Sequence, residues 1–109
     1  MWNTWSLGKN IVQYFEKNGY KNIAIYGMSY VGKAVVKELK GSAVQIKYGI
    51  DKNAGYKEDN VDVITIDECK ADVDVIVVTP ISFFEEIERE LEMRVDCPIV
   101  SIEDVLDVL

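Results

Sequence analysis

The chain has 109 residues, 49% of them hydrophobic, which suffices for the core of one domain and leaves no room for a second, substrate-holding one. Its 12 Lys+Arg against 19 Asp+Glu give a formal net charge of -7, which repels a phosphate backbone at long range and argues against nucleic acid as a partner. There is no histidine, and Cys69 and Cys97 lack C-x-x-C spacing, so the commonest general base and the commonest zinc ligand sets are missing and both thiols read as buried and free.

The apolar runs are too short to span a bilayer, and Met1-Trp2-Asn3-Thr4-Trp5 lacks the basic-then-apolar layout of a signal peptide. A cytoplasmic protein without a membrane partner is the expectation. The whole of 1–109 reads as one unit, with an N-terminal helix within 1–19 and a core over 20–109. In the opening helix, about residues 4–18, Trp5, Ile11, Val12 and Phe15 share one side, and Asn18-Gly19 supplies a left-handed stop. Trp2 and Trp5 sit where a short helix has difficulty burying two indoles on its own sheet. They suggest a contact through this helix, with a second copy or a larger enzyme; the competing reading is a helix that simply covers the sheet.

Strand one begins near Asn22 and runs through Ile23-Ala24-Ile25-Tyr26 into the turn Gly27-Met28-Ser29-Tyr30-Val31-Gly32, after which Val31, Val35 and Leu39 recur at helical spacing. A glycine-bounded turn between a strand end and a helix start presents unpaired N–H groups and a positive dipole end to an anion. Gly27-x-x-x-x-Gly32-Lys33 also matches most of a P-loop, but Ala34 stands where the magnesium-binding Ser or Thr belongs. As a dinucleotide turn, Gly27 makes the bend, Gly32 lets helix and strand approach, and Ser29 replaces the middle glycine, either crowding a pyrophosphate or bonding to it. Lys33 reads as a phosphate counter-charge or as a solvated surface lysine, and Tyr26 and Tyr30 as a pocket border or as packing residues.

Gly41 ends that helix, and Val44, Ile46, Tyr48 and Ile50 alternate as strand two, closed by Asp51. Asp51 lies where an acidic group accepts from ribose hydroxyls, with Lys52 beside it. Asp51-Lys52-Asn53-Ala54-Gly55 is equally good loop chemistry. Three further apolar runs, Val61–Ile64, Val73–Val78 and Pro98–Val100, read as strands three, four and five. Each precedes a capping-box pattern, Thr65…Glu68, Ser82…Glu85 and Ser101…Asp104. Strand four is nearly continuous Val/Ile, as in the middle of a parallel sheet, and Thr79-Pro80 at its end adjoins the switch point where open α/β sheets place ligands. Proline as a helix-start device is the plainer reading of Pro80. The expectation is an α/β, doubly wound, five-stranded parallel sheet in the order 3-2-1-4-5, with Ile23, Ile25, Val75, Val77 and Val100 at its buried centre.

From Tyr20 to Leu106 the chain resembles the NAD(P)-binding Rossmann-like superfamily, in particular small bacterial modules associated with glycosyltransferases and nucleotide-sugar enzymes. The resemblance rests on Ile23–Gly27 with Gly32-Lys33, on Tyr48-Gly49-Ile50-Asp51, on Asp74–Pro80 and on Ile99–Asp104. It implies a pocket for NAD, a related nucleotide or a nucleotide sugar over Gly27, Met28, Ser29, Tyr30, Val31 and Gly32, with Asp51 near a ribose and Lys52, Thr79 and Pro80 alongside. It implies an accessory or regulatory module without catalysis of its own. The alternatives are an NAD-dependent oxidoreductase or epimerase fragment, which would need a proton donor in recognisable spacing, and a protein-interaction domain whose nucleotide turn is a relic.

Overall fold

A computed structural model describes residues 4–70 and 72–106, with side chains from Ile11 onward. In chain order the elements are α1 (Thr4–Lys17), β1 (Asn22–Tyr26), α2 (Tyr30–Leu39), β2 (Gln45–Ile50), β3 (Tyr56–Glu58), β4 (Val61–Ile64), β5 (Val75–Val78), α3 (Phe84–Glu92), β6 (Ile99–Ser101) and α4 (Ile102–Leu106), with 3₁₀ turns at Ile66–Glu68 and Ile81–Phe83. Helix α1 stops as its sequence demands. Gly19 takes φ +73° while its N–H bonds to Glu16 O at 3.1 Å and the N–H of Tyr20 to Phe15 O at 2.8 Å, the paired bonds of a Schellman motif. The indoles of Trp2 and Trp5, on which the interface expectation rests, lie outside the described side chains.

The sheet has six strands in the order β3-β4-β2-β1-β5-β6, not the expected five; the five strands read in the sequence, now β1, β2, β4, β5 and β6, keep the relative order 3-2-1-4-5, and β3 is added outside β4. All neighbouring pairs are parallel except β3 with β4. The additional strand arises because Asp59 and Asn60 both adopt positive φ, 51° and 73°, closing a two-residue hairpin in which Glu58 pairs with Val61. Its sequence signal is a polar Asp-Asn pair between Tyr56-Lys57-Glu58 and the apolar run.

Alternation along the strands divides the core between two faces. Ile23, Ile25, Val75 and Val77 face α1, α2 and α4, where they pack with Ile11, Phe15, Val35, Val36, Leu39 and Val105. Ala24, Ile76 and Val78 face α3, where Ile87 and Leu91 cover them. Each large side chain so buried contributes about 1.5–3 kcal/mol. Val100 is only partly buried, contrary to its expected central place, because β6 is an edge strand.

Strand β2 departs from simple alternation. The ladder pairs Ile23 with Ile46 and Ala24 with Tyr48, so Lys47 is skipped in a bulge. One extra residue reverses the faces beyond it. Val44 and Ile46 accordingly join the α1/α2 face, while Tyr48 and Ile50 join the α3 face.

Of the three expected capping boxes, two form. The N–H of Thr65 donates to Glu68 Oε1 at 3.1 Å at the head of a single 3₁₀ turn. At α4, the N–H of Ser101 donates to Asp104 Oδ2 at 3.4 Å and that of Glu103 to Ser101 Oγ at 3.1 Å. The Ser82…Glu85 box does not form, because Pro80 leads into the 3₁₀ turn Ile81–Phe83 and α3 starts only at Phe84, with Phe83 as its N-cap. Strand β5 is also shorter than expected. Asp74, inside the apolar run, lies before it and accepts from the N–H groups of Lys21 (2.8 Å) and Asn22 (2.9 Å), latching the start of β1 to the start of β5.

Among the described residues no helix is long and apolar enough to cross a membrane.

Candidate functional site

Strand β1 pairs with β2 on one side and β5 on the other, so the chain crosses the sheet in opposite directions from it. The C-terminal ends of these three strands meet at the glycine turn. Gly27 has φ +94°, and a Cβ there would stand 2.5 Å from Thr79 Oγ1 and 2.9 Å from Pro80 Cδ. A Cβ on Gly32 would stand 1.9 Å from the carbonyl oxygen of Gly27. Both glycines are thus demanded by the fold's own packing, the first by β5 and the second by the approach of α2 to the end of β1.

Two side chains pin this turn from neighbouring strands. Thr79, 5% exposed, places Oγ1 within reach of the carbonyl oxygens of Tyr26 (2.9 Å) and Gly27 (3.1 Å), so that its one hydroxyl proton is shared between acceptors at the end of β1. From the other side, Asp51 Oδ2 accepts the N–H of Met28 at 2.7 Å, and its Oδ1 accepts the N–H of Asn53 at 3.0 Å. Of the two sequence readings of Asp51, these bonds are those of the loop residue: it shapes its own turn and also fastens the glycine turn. Each oxygen keeps further lone-pair capacity.

Met28 itself is buried, 3% exposed, in the α1/α2 core, and only its amide belongs to the turn. The first intrahelical bond of α2 runs from Lys33 N–H to Ser29 O at 3.0 Å, so the N–H groups of Tyr30, Val31 and Gly32 have no partner within the helix. Ser29 is the N-cap, and among the described residues its hydroxyl makes no capping bond. Lys33 Nζ lies 4.0 Å from Glu58 Oε1, a surface pair directed toward β3.

Over the turn opens a cleft of about 420 Å³, lined by Tyr26, Gly27, Ser29, Asp51, Lys52 and Pro80 together with Phe83, Glu86, Ile87 and Glu90 of the α3 side. Of the residues expected at a ligand site, Gly27, Ser29, Asp51, Lys52 and Pro80 line it. Met28, Tyr30, Val31, Gly32 and Thr79 do not. Tyr30 is 86% exposed, and Thr79 is an internal brace.

The α3 wall went unread in the sequence, although its signal was present. Positions 83, 86, 87 and 90 fall on one helical stripe that follows β5 and the 3₁₀ turn after it. Three carboxylates, Asp51, Glu86 and Glu90, line the cleft against one ammonium, that of Lys52. The phenol of Tyr26 registers this field: burial, then the charges of Glu90 and Asp51, raise its pKa above the ordinary tyrosine value. It is held as a neutral hydroxyl, a hydrogen-bonding group and a weak acid. Among the described residues no group of three or more His, Cys, Asp or Glu is arranged to hold a metal ion.

The carboxylate at the end of β2 keeps acceptor capacity toward the cleft, whereas the N–H groups left free at the start of α2 belong to Tyr30, Val31 and Gly32, outside its lining. The volume falls within the range of small-molecule pockets. No protein-family model, curated protein or solved structure matches the chain.

Proposed function

We propose that the chain is a nucleotide-binding module of Rossmann-like type, which holds NAD or a related ribonucleotide in the cleft over Gly27 and serves sugar or polysaccharide metabolism as an accessory or regulatory part without turnover of its own. The observation that carries this reading is the position of Asp51, at the end of β2, on the cleft and bonded to the glycine turn through Met28 N–H. In dinucleotide-binding folds an acidic group there receives the ribose while the adjoining helix start receives the phosphate. The sequence has no histidine, the commonest general base, which accords with binding without turnover.

The test is a thermal-unfolding panel with NAD(H), NADP(H), coenzyme A, flavins and nucleotide sugars. A ligand present at a hundredfold excess over its dissociation constant stabilises the fold by about 2.7 kcal/mol, a readily measured rise in melting temperature. A panel in which no member shifts the transition refutes the reading.

A further inference from the structure

The α3 wall constrains what part of a nucleotide faces it. Tyr26 and Phe83 bring two aromatic rings to the cleft, Phe83 59% exposed at the rim, and the largely buried Ile87 adds an aliphatic edge. Such surfaces suit the faces of a heterocyclic base. Glu86 and Glu90, one helical turn apart on the same wall, are acceptors only when ionised. Asp51 on the facing wall, with its spare acceptor capacity, suits ribose hydroxyls. A base edge turned toward α3 therefore meets acceptors and must bring donors.

Bases differ sharply in this respect. Guanine presents N1–H and its 2-amino group side by side, matching the two oxygens of one carboxylate; adenine presents one amino group beside an acceptor. Uracil places a single N–H between two carbonyl oxygens, both of which a carboxylate repels. A phosphate directed toward this wall is likewise repelled, which leaves for it the opposite side of the cleft, lined by Gly27, Ser29 and Lys52.

We propose that Glu86 and Glu90 read the base, so that the cleft selects ribonucleotides with a donor-bearing purine edge, guanine ahead of adenine, over those of uracil. This inference rests on the nucleotide reading above and narrows it, setting uridine-based nucleotide sugars aside.

Titration calorimetry with GMP, AMP and UMP tests it, since the three carry the same phosphate and differ only in the base. The native chain binds GMP roughly tenfold or more tighter than UMP, with AMP between, as expected for hydrogen bonds to a charged acceptor. In Glu86→Gln/Glu90→Gln the amide offers uracil a donor, so UMP tightens and the GMP/UMP ratio falls toward one. Both positions are solvent-exposed on α3, and a thermal melt of the variant verifies its fold. Binding of UMP as tight as that of GMP by the native chain overturns the inference while leaving the nucleotide reading intact. So does a variant in which all three affinities move together. If none of the three nucleotides binds, the inference falls, and if the wider panel also fails the nucleotide reading falls with it.

Discussion

Asp51 and Met28, 23 residues apart in sequence, are joined by a 2.7 Å bond from the backbone N–H of one to the carboxylate of the other, which fastens the end of β2 to the start of the glycine turn. Removing the carboxylate therefore has two consequences of different kinds. Asp51→Ala leaves the amides of Met28 and Asn53 without their acceptor and lowers stability by about 1–3 kcal/mol, measured by urea unfolding. It also removes the negative charge opposing a 2′-phosphate, so the native preference for NADH over NADPH expected of this cleft narrows in the variant. Calorimetry with both dinucleotides checks this. Tighter NADPH binding by the native chain excludes the ribose role, whatever happens to stability.

The glycine turn separates structural from ligand-facing positions. Gly32→Ala forces a methyl to 1.9 Å from a backbone oxygen, which no rotamer relieves, and α2 must move off β1. A loss above about 4 kcal/mol is expected. Ser29→Gly touches no such contact and makes no capping bond, so it alters stability by only a few tenths of a kcal/mol. By clearing its side chain from the cleft it tightens binding of a pyrophosphate-containing ligand. Equal destabilisation by the two substitutions, or weaker NAD binding by Ser29→Gly, contradicts this assignment.

Two groups give the fold opposite pH dependences at its acid and alkaline ends. The N–H groups of Asn22 and Lys21 hold the Asp74 carboxyl below its ordinary pKa, so its contribution is complete above the unfolded value of about 3.9 and is lost as pH falls through the folded value. Burial, with the neighbouring Cys69 thiol, pushes the Tyr48 hydroxyl upward, and that hydroxyl donates to Lys70 O. Its contribution is complete below the unfolded value of about 10 and is lost as pH rises toward the folded one. Asp74→Asn should flatten the acid limb of a stability-versus-pH curve alone. Tyr48→Phe should flatten the alkaline limb while lowering stability at neutral pH by about 1 kcal/mol. Unchanged limbs in either variant refute the corresponding assignment.

The parts legible in the sequence are those fixed by local chemistry. Asn18-Gly19 and Gly41 mark helix ends, and both glycines take positive φ, 73° and 83°. Strand β1, the turn after it and the buried Val75–Val78 run follow from hydrophobic pattern and glycine spacing. What escaped depends on pairing between distant segments. The skipped Lys47 is defined only by its partners Ile23 and Ala24, and the alternation of Val44, Ile46, Tyr48 and Ile50 conceals the change of face. At the site, Gly27, Ser29 and Asp51 were legible because turn chemistry identifies them. Glu86 and Glu90 look like solvated helix glutamates until α3 is packed on β5 and that stripe becomes a wall.

The short hairpin at the far side of the sheet bears on solubility. Without β3, strand β4 would present an open row of peptide groups, a template on which another chain's strand can add. Tyr56–Glu58 occupies that row and is itself only three residues long, with Lys57 paired to Asp62 at 3.4 Å and Asp59 held to Lys40 at 3.0 Å. A short, charged border is a poor template for further growth. Aggregation propensity on that flank is therefore governed by the Asp59-Asn60 turn, far in function from the cleft, and a chain that loses the turn loses its guard against strand addition while every group that lines the cleft remains in place.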